Sequence, residues 1–508
     1  MSIDFTPIAR LFFRHTHTSR ARWAVPSGAE STQRRLLAAL LDKGAKTRYG
    51  AKYGFAHFSC YEDFARRVPV IEYEDIRSEA ERMVFGERDI LWPGVCRRFA
   101  QSSGTSGGKS KYIPVTDDSL RQNHYHGAAE AVASYLSLYP DSRLFSGKGF
   151  ILGGSFANEI VSLPKGVNVG DLSANLIDAI NPVANLYRVP DKRTALMSNW
   201  REKLPALINA SINQNITNIS GVPSWFLTVL RGVIAEAGAS TIHDVWPGLE
   251  VFFHGGIAFG PYREQYRAIT DPAKMRYIEN YNASEGFFAV QDTADGSNGM
   301  LLLLDHGVFY EFRELDGSDI VPAWKVEQGK TYALIISACN GLWRYLPGDT
   351  VRIESTEPLR ISIAGRTSCF INAFGEELMV WNADAAITKA CETTGAKVAD
   401  YTAAPVYTSG RDKGHHQWLI EWATPPSCGS KAFAEILDKE LQNVNSDYQA
   451  KRSGDIFLAR LEITDVPPGT FNRWLASNGK LGGQHKIPRL ANDRRIVDQI
   501  LEILNLNN

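Results

Sequence analysis

The stretch 102–111 reads Ser102-Ser103-Gly104-Thr105-Ser106-Gly107-Gly108-Lys109-Ser110-Lys111. Glycines let successive backbone N–H groups point into one concavity, hydroxyls add hydrogen-bonding groups, and a lysine brings positive charge to a polyphosphate. The spacing of the glycines and the first lysine is one residue short of the Walker P-loop motif, which disfavours a P-loop ATPase. A flexible Ser/Gly surface loop is the alternative. Because structured segments flank the stretch, we interpret it as a phosphate-binding loop.

Composition narrows the class of protein around this loop. The chain has 508 residues, of which 44% are hydrophobic and 22% are charged, as in a folded protein of about two or three parts. A net charge of -1 offers no basic field for nucleic acid or anionic lipid. Six scattered cysteines without a Cys-x-x-Cys pair are typical of reduced cytosolic proteins. No apolar run approaches the roughly 20 residues of a membrane span. We expect a cytoplasmic protein without nucleic-acid or membrane partners.

Local patterns predict an α/β fold class, with a large part built of α/β layers. A leucine-rich helix is expected near the start, capped by Ser31 and ended by Gly44. A second helix over Asp117–Leu138 alternates with short strands such as Val251–His254. Between residues 300 and 353, closely spaced strand patterns predict a β-rich, barrel-like subdomain.

The pattern changes after Gly365-Arg366, where strand, helix, strand, strand and helix follow one another. This order predicts a small α+β domain. We therefore expect a large N-terminal domain over residues 1–365 and a small C-terminal domain over 366–508. His415 and His416 would point to opposite faces of a strand, so no shared metal ion is assigned to them.

A lone carboxylate follows an aromatic residue in Tyr281-Asn282-Ala283-Ser284-Glu285-Gly286. Magnesium bound together with substrate phosphates needs only one or two protein carboxylates, so a single glutamate suits a site beside a phosphate loop. A solvated glutamate at a turn is the alternative. We assign Glu285 as a candidate Mg²⁺ ligand.

A Pro-Gly turn presents Asp349 immediately before a predicted strand over Thr350–Ile353. An aspartate in this position can accept hydrogen bonds from two ribose hydroxyls. An ordinary turn aspartate is the alternative, because Asp is frequent beside Gly in turns.

Two glycine-containing segments lie at and beyond the predicted boundary. Residues 365–377 are interpreted as a hinge, since a plain linker would leave Gly375-Glu376-Glu377 without a role. Residues 469–489, from Gly469-Thr470-Phe471 through Gly482-Gly483 to Arg489, present Lys486 in a glycine-flanked loop. Most such lysines are solvated, so the loop alone leaves the role of Lys486 open.

Taken together and in this order, the five segments resemble the acyl acid amido synthetases of the auxin-responsive-promoter family. That family belongs to the luciferase-like adenylate-forming superfamily. Its first motif, S-S-G-T-S-x-G-x-x-K, is matched by residues 102–111 at every specified position. The resemblance also covers Leu36–Phe55, Val68-Pro69-Val70, Tyr73-Glu74-Asp75, and Gly469-Thr470-Phe471 with 486–489, and so spans most of the chain.

The resemblance implies ATP and Mg²⁺ as cofactors and a set of site residues. The first motif would hold the ATP phosphates through Ser102, Ser103, Gly104, Thr105, Ser106 and Lys111. The adenine and the acyl-adenylate would lie against Gly255, Gly256, Tyr281, Ala283 and Ser284. Asp349 would take the ribose hydroxyls and Glu285 the Mg²⁺. Arg366 would mark the hinge of the mobile C-terminal domain, whose Lys486 would join Lys111 as a catalytic residue by reaching the reacting carboxylate.

One motif departs from the family pattern. Plant members often read Y-R-x-G-D where this chain has Tyr345-Leu346-Pro347-Gly348-Asp349. Arg344 lies one place earlier and on a strand would face the other way, so it is not expected to replace the missing arginine.

The resemblance implies an ATP-dependent ligase that adenylates a carboxylic acid, releases pyrophosphate, and transfers the acyl group to the amino group of an amino acid. The small acid and the amino acid are its expected partners, and their identities are not specified by these residues, nor is the oligomeric state. An acyl-CoA ligase that uses the same acyl-adenylate is one alternative. A non-catalytic protein that binds a small acid is another.

Overall fold

The computed structural model describes residues 4–13, 26–102, 110–156, 158, 160, 162–257, 259, 262–296, 298–315, 319–366, 370–407, 413–455, 457–478 and 487–505. The chain forms two units. The first spans Met1–Ser102, Ser110–Gly256 and Tyr266–Thr367, and the second spans Ser368–Asn508 together with Ile257–Gln265.

Strands account for much of the first unit. Within the described residues they are β1 (Arg98–Ser102), β2 (Lys111–Pro114), β3 (Lys148–Ile151), β4 (Asn168–Gly170), β5 (Arg188–Val189), β6 (Ile216–Gly221), β7 (Val251–His254), β8 (Arg276–Ala283), β9 (Gly286–Val290), β10 (Met300–Leu302), β11 (Val308–Glu314), β12 (Ile320–Pro322), β13 (Thr331–Ala338), β14 (Asp349–Thr356) and β15 (Leu359–Arg366).

Helices connect many of these strands. Those before the second unit's main segment are α1 (6–13), α2 (Pro26–Gly44), α3 (Arg48–Tyr53), α4 (Tyr61–Arg67), α5 (Arg77–Val84), α6 (Tyr125–Leu138), α7 (Leu172–Asp178), α8 (Pro182–Leu186), α9 (Lys192–Ala195), α10 (Trp200–Ser211), α11 (Pro223–Glu236), α12 (Ile242–Val245) and α13 (Arg263–Arg267). A π-helical turn over Ser119–His124 precedes α6, within the stretch for which the sequence predicts one helix.

One large sheet joins the predicted α/β layers to the strand-rich part. Its twelve described strands follow the order β12-β11-β13-β14-β15-β10-β9-β8-β7-β6-β3-β5. At one end of this order, β8, β7, β6, β3 and β5 pair in parallel. Each of the other neighbouring pairs, from β8 with β9 to β11 with β12, is antiparallel. A separate three-stranded sheet has the order β2-β1-β4. The parallel half needs helical crossovers and the antiparallel half only turns, which explains the change of pattern near residue 300.

The second unit is a smaller α+β body. Its described strands and helices are β16 (Phe370–Ile371), β17 (Leu378–Met379), α14 (Val380–Thr394), β18 (Lys397–Val406), β19 (His415–Thr424), α15 (Gly429–Val444), α16 (Ser446–Arg452), β20 (Glu462–Val466), α17 (Thr470–Ser477) and α18 (Arg495–Asn505). The order β18-β19-β20 forms one sheet and β16-β17 another. His415 and His416 contact different carboxylates, Glu462 and Glu376 respectively.

Helix α2 packs into the core of the first unit through its leucines and the buried Gln33. Leu37, Leu40 and Leu41 are buried, and the helix ends at Gly44 as the pattern predicts. The predicted cap at Ser31 is wrong, because the helix begins at Pro26, a residue that suits a first turn. Ser31 lies inside the helix, where its hydroxyl donates to the carbonyl of Gly28.

Two further observations concern membrane spans and the cysteines. No helix within the described ranges is long and apolar enough to cross a bilayer. The described cysteines, Cys60, Cys96, Cys339, Cys391 and Cys428, are free thiols.

A buried ion pair fastens the N-terminal helices to the strand-rich part. The guanidinium of Arg344 donates to both carboxylate oxygens of Glu311 at 2.8 Å, and the two side chains are only 6% and 1% exposed. The same guanidinium donates to the carbonyls of Ala65 and Val68, at the end of α4. The hydroxyl of Tyr61 donates to Glu311 at 3.0 Å. Arg344 is therefore committed to this junction and does not replace the arginine missing from the Asp349 motif.

Replacing Arg344 by Met is expected to lower the free energy of unfolding by about 3–5 kcal/mol, because it leaves the Glu311 carboxylate buried without its cation. Urea unfolding would measure the change. Lys389→Met provides the control, since Lys389 pairs with Glu392 on an exposed helix face and its loss should leave stability unchanged. Equal midpoints for Arg344→Met and the parent protein would contradict the account.

Candidate functional site

The predicted phosphate loop joins two paired strands. Strands β1 and β2 are antiparallel, and Ser102 lies opposite Lys111 in their register. Lys111 is only 5% exposed at the start of β2. Ser103, Gly104, Thr105 and Ser106 lie outside the described residues. The ends of the loop are thus held together by a hairpin, with a lysine buried at one end.

Two side chains from the preceding segment support the base of this loop. The guanidinium of Arg77 donates to the carbonyl of Ser110 at 3.1 Å, and the hydroxyl of Tyr73 accepts from the backbone N–H of Tyr112 at 2.7 Å. The guanidinium also lies over the Tyr73 ring, 4.8 Å from its centroid. Burial raises the pKa of Tyr73 to about 12. Sequence reasoning missed Arg77; the only signal was its closeness to Tyr73-Glu74-Asp75, which carries part of the family resemblance.

Strands β7 and β8 bring two more predicted segments together. They are parallel neighbours, and Gly255 follows the last residue of β7. A β-carbon at Gly255 would lie 2.4 Å from the carbonyl oxygen of Asn280, so a residue with a side chain does not fit without a shift. Gly256 has a φ of +83°, a conformation that favours glycine. The turn therefore lies beside Tyr281, at the carboxyl edge of parallel strands where α/β folds bind ligands.

A hydrogen bond joins the second motif, at Tyr281–Glu285, to the third motif, at Tyr345–Asp349. The hydroxyl of Tyr281 on β8 donates to Oδ2 of Asp349, the first residue of β14, and both side chains are buried. In the sheet order β15, β10 and β9 lie between β14 and β8, so the bond joins two strands that are not neighbours. Asp349 follows Gly348, whose φ is +96°, and lies opposite Arg366 in the register of β14 and β15. The side chain of Arg366 lies outside the described residues, as does Lys486.

Glu285 lies in the tight connection between β8 and β9, with Ala283 and Ser284 before it. Glu285 is buried, and its backbone carbonyl accepts from the Asn340 side chain at 3.1 Å. In the part of the chain that the structure describes, no group of three His, Cys, Asp or Glu side chains could hold a metal ion. The donor set therefore does not fit a metal held by protein alone. It fits Mg²⁺ held mainly by nucleotide phosphates, which needs only one or two carboxylates.

The π-helical turn after β2 contacts the second motif. Asn123 donates to the carbonyls of Phe287 and His306 and accepts from the N–H of Phe287 at 2.6 Å. His124 Nδ1 lies 3.2 Å from Oδ1 of Asn282, an atom that can only accept, so the ring donates. Both residues are buried. Such turns are frequent at functional sites. Sequence reasoning missed this connection because nothing local distinguishes a buried Asn on a helix from a solvated one.

Three domain models of the GH3 family match the chain. The N-terminal domain matches residues 24–194, the central domain 301–366 and the C-terminal domain 381–495. Together they cover more than half of its length.

Relatives of known name match almost the whole chain. It is 23% identical to the indole-3-acetic acid-amido synthetase GH3.4 of Arabidopsis thaliana, over 91% of this chain and 89% of the relative. It is 22% identical to the 4-substituted benzoates-glutamate ligase GH3.12 of the same plant, over 94% and 95%.

Solved structures share the fold. One is the AtGH3.15 acyl acid amido synthetase in complex with 2,4-DB, with a TM-score of 0.61 and 19% identity over 94% of this chain and 93% of the other. Another is 2-hydroxyisobutyryl-CoA ligase in complex with 2-HIB-AMP and CoA, with a TM-score of 0.51 and 15% identity over 94% and 92%. The predicted fold class is confirmed.

Replacing His124 by Gln is expected to remove part of the acid sensitivity of the fold. Burial lowers the pKa of His124 to about 4, against an ordinary 6.5, and the hydrogen bond with Asn282 opposes this only in part. Between pH 7 and pH 5 the unfolded chain takes up a proton here that the folded protein does not, which costs about 2 kcal/mol of stability. Urea unfolding at both pH values should show that His124→Gln loses less stability between pH 7 and pH 5 than the parent protein, by this amount.

The exposed His57 provides the control, because His57→Gln should keep the parent protein's pH dependence. If His124→Gln and His57→Gln lose the same stability on acidification, the assignment to His124 is wrong.

Proposed function

We propose that this chain, which belongs to the GH3 family, is an ATP-dependent acyl acid amido synthetase. It converts a carboxylic acid and ATP to an acyl-adenylate and pyrophosphate, and then transfers the acyl group to the amino group of an amino acid. The match of the family's three domain models along the chain carries the proposal. The family membership and the names of the relatives confirm the predicted class, a ligase that forms amide bonds.

ATP is the nucleotide that we assign to the site. The hairpin with Lys111 supports a phosphate loop at residues 102–111. The bond from Tyr281 supports Asp349 as the acceptor of the ribose hydroxyls, because it orients the carboxylate before the nucleotide arrives. The turn at Gly255 and Gly256, together with Ala283 and Ser284, would lie along the adenosine and the acyl-adenylate.

Mg²⁺ is the metal that fits the single carboxylate of Glu285. When bound, it would supply neutralising charge to the phosphates. Glu285 is the residue that we assign to hold it, and its backbone is fixed by the bond from Asn340.

The first half-reaction overcomes the poor reactivity of a carboxylate. Expelling oxide is unfavourable, whereas AMP is a good leaving group. One oxygen of the acid bonds to the α-phosphorus of ATP, and the bond to pyrophosphate breaks. Negative charge concentrates on the phosphates as this happens, and preorganised cations stabilise it. Lys111 and Lys486 are the residues that we assign to this role.

In the second half-reaction the neutral amine of the amino acid bonds to the acyl carbon, the bond from that carbon to the AMP oxygen breaks with its electrons on AMP, and the nitrogen gives up a proton to water. The two steps need different groups at one centre. A small domain over residues 366–508 that turns about Arg366 would meet that need and would bring Lys486 to the reacting carboxylate. The predicted domain boundary, the hinge and the mobility of the C-terminal domain are part of this proposal.

The cytoplasm is the proposed location, and small molecules are the proposed partners. The free cysteines suit a reducing compartment. The near-neutral charge of the chain argues against a nucleic-acid or membrane partner.

The proposed reaction is tested by pyrophosphate release from Mg²⁺-ATP across aryl, indolyl and fatty acids, with amino acids, coenzyme A or no acceptor added in parallel. Release that depends on an acid and rises with an amino acid, with an amide detected by mass spectrometry, is expected. A rise with coenzyme A alone would make the protein an acyl-CoA ligase. Thermal stabilisation by an acid without any release would make it a binding protein.

Tyr281→Phe removes the donor to Asp349 and is expected to raise the KM for ATP about 10-fold or more, as for a lost hydrogen bond to a charged group. Tyr277→Phe on the same strand is the control, since the Tyr277 hydroxyl lies 3.1 Å from the Thr270 hydroxyl and is not assigned to the nucleotide. Equal KM values for the two variants would refute the role of Asp349 at the ribose.

A further inference from the structure

A cavity of about 250 Å³ opens in the first unit, and its lining includes none of the residues assigned to the reaction. Helix α3 forms one wall, and residues 69–79 form the other. Its lining includes Tyr49, Pro69, Val70 and Asp75, which come from segments that resemble the family but are not themselves assigned to the reaction. These segments therefore build a concave site of their own.

The cavity combines aromatic surface with charges of both signs. Tyr49 and Tyr53 lie one helical turn apart on α3, with ring centroids 4.7 Å apart. Lys52, Asp75 and Glu79 also line the cavity, and within the described ranges none of them forms an ion pair. Asp75 accepts from the backbone N–H of Glu72, and Glu79 accepts from the Ser78 hydroxyl, in each case through one carboxylate oxygen. Carboxylates and tyrosine faces attract an organic cation, and the lysine attracts an anion.

The electrostatics of the tyrosine pair agree with this arrangement. Burial raises the pKa of Tyr49, and the Tyr53 hydroxyl and the Glu79 and Asp75 carboxylates raise it further. The two carboxylates therefore impose a negative potential at the buried Tyr49 hydroxyl, although Asp75 itself is exposed and Glu79 is half-buried. Lys52 is exposed, and its Nζ lies 5.1 Å from the centroid of the Tyr53 ring.

The volume of the cavity limits the size of its ligand. Sites for drug-sized molecules occupy about 300–1,000 Å³, so this cavity suits a smaller molecule. A molecule of that size with an ammonium and a carboxylate on neighbouring atoms is a free α-amino acid. Val70 and Ile71 add apolar lining for a side chain.

We propose that the cavity is a second amino-acid site, which holds the ammonium group at Asp75, Glu79 and the tyrosine faces and the carboxylate at Lys52. The wall of this site is also the support of the nucleotide site. The N–H of Ile71 donates to the carbonyl of Arg344, and the carbonyl of Ile71 accepts from the N–H of Leu346, three residues before Asp349. Occupancy therefore changes the affinity for ATP, a coupling that rests on the proposed function.

Equilibrium dialysis of the full-length protein without ATP or acid tests the binding. The probes are the common L-amino acids, and for each that binds, the amine that lacks its carboxylate and the acid that lacks its ammonium. We expect saturable binding of an amino acid, weaker binding of the amine, and none of the acid. Glu79→Gln should weaken the binding at least about 10-fold. Glu81→Gln, which removes the same charge from the same helix outside the cavity, should leave it unchanged.

Binding that is lost in Lys111→Met but kept in Glu79→Gln and Tyr53→Ala would place the amino acid in the catalytic site and overturn the proposal. Binding of none of the amino acids would overturn it too. Neither outcome depends on whether the protein adenylates an acid. For the coupling, ATP affinity measured with saturating amino acid should differ at least about 5-fold from that without it, and this difference should vanish in Glu79→Gln. An unchanged ATP affinity would refute the coupling.

Discussion

The pairing of Arg344 with Glu311 determines how the helical start of the chain meets the strand-rich part. A buried charge is costly unless its partner and its remaining donors are satisfied. Here the Glu311 carboxylate accepts two hydrogen bonds from the guanidinium and one from Tyr61. The guanidinium also donates to two backbone carbonyls at the end of α4. Arg344 has a φ of +46°, an uncommon conformation for a residue with a side chain. This conformation immediately precedes Tyr345-Leu346-Pro347-Gly348-Asp349, so the same junction orients the third motif.

The candidate site is assembled from elements that are far apart in sequence but close along the edges of the sheet. β7 and β8 supply a glycine turn and Tyr281, and the tyrosine hydroxyl reaches Asp349 at the start of β14. The turn at Asn123 and His124 connects β2, which begins at Lys111, to the same region. The segments at Gly255, Tyr281–Glu285 and Asp349 thus each have a local reason for their residues, and the bond from Tyr281 holds the last two together.

Sequence reasoning succeeded where the signal is local. Val251–His254 is predicted as a strand and has those bounds, and the motif at residues 102–111 is enough to indicate the family. It failed where the answer depends on distant residues. Ser31 looks like a cap because polar residues precede the leucines, but buried Gln33, which bonds the carbonyls of Leu304 and Val308, shows that the helix packs from an earlier turn. The bond between Tyr281 and Asp349 depends on the register of several intervening strands, which no local pattern contains.

The widened turn over Ser119–His124 also limits how this chain can change in length. A π-helical turn contains one residue more than the α-helical turn that it replaces, and each residue of an α-helix accounts for about 100° of rotation. Losing one residue of this turn would restore a regular helix but would change the rotation of the residues on one side of it. Either Asn123 and His124 would turn away from Phe287 and Asn282, or Gly127 would turn away from the Phe287 ring that it contacts. A single-residue insertion or deletion in this segment would therefore break at least one of these contacts, because the segment acts as a spacer of fixed length.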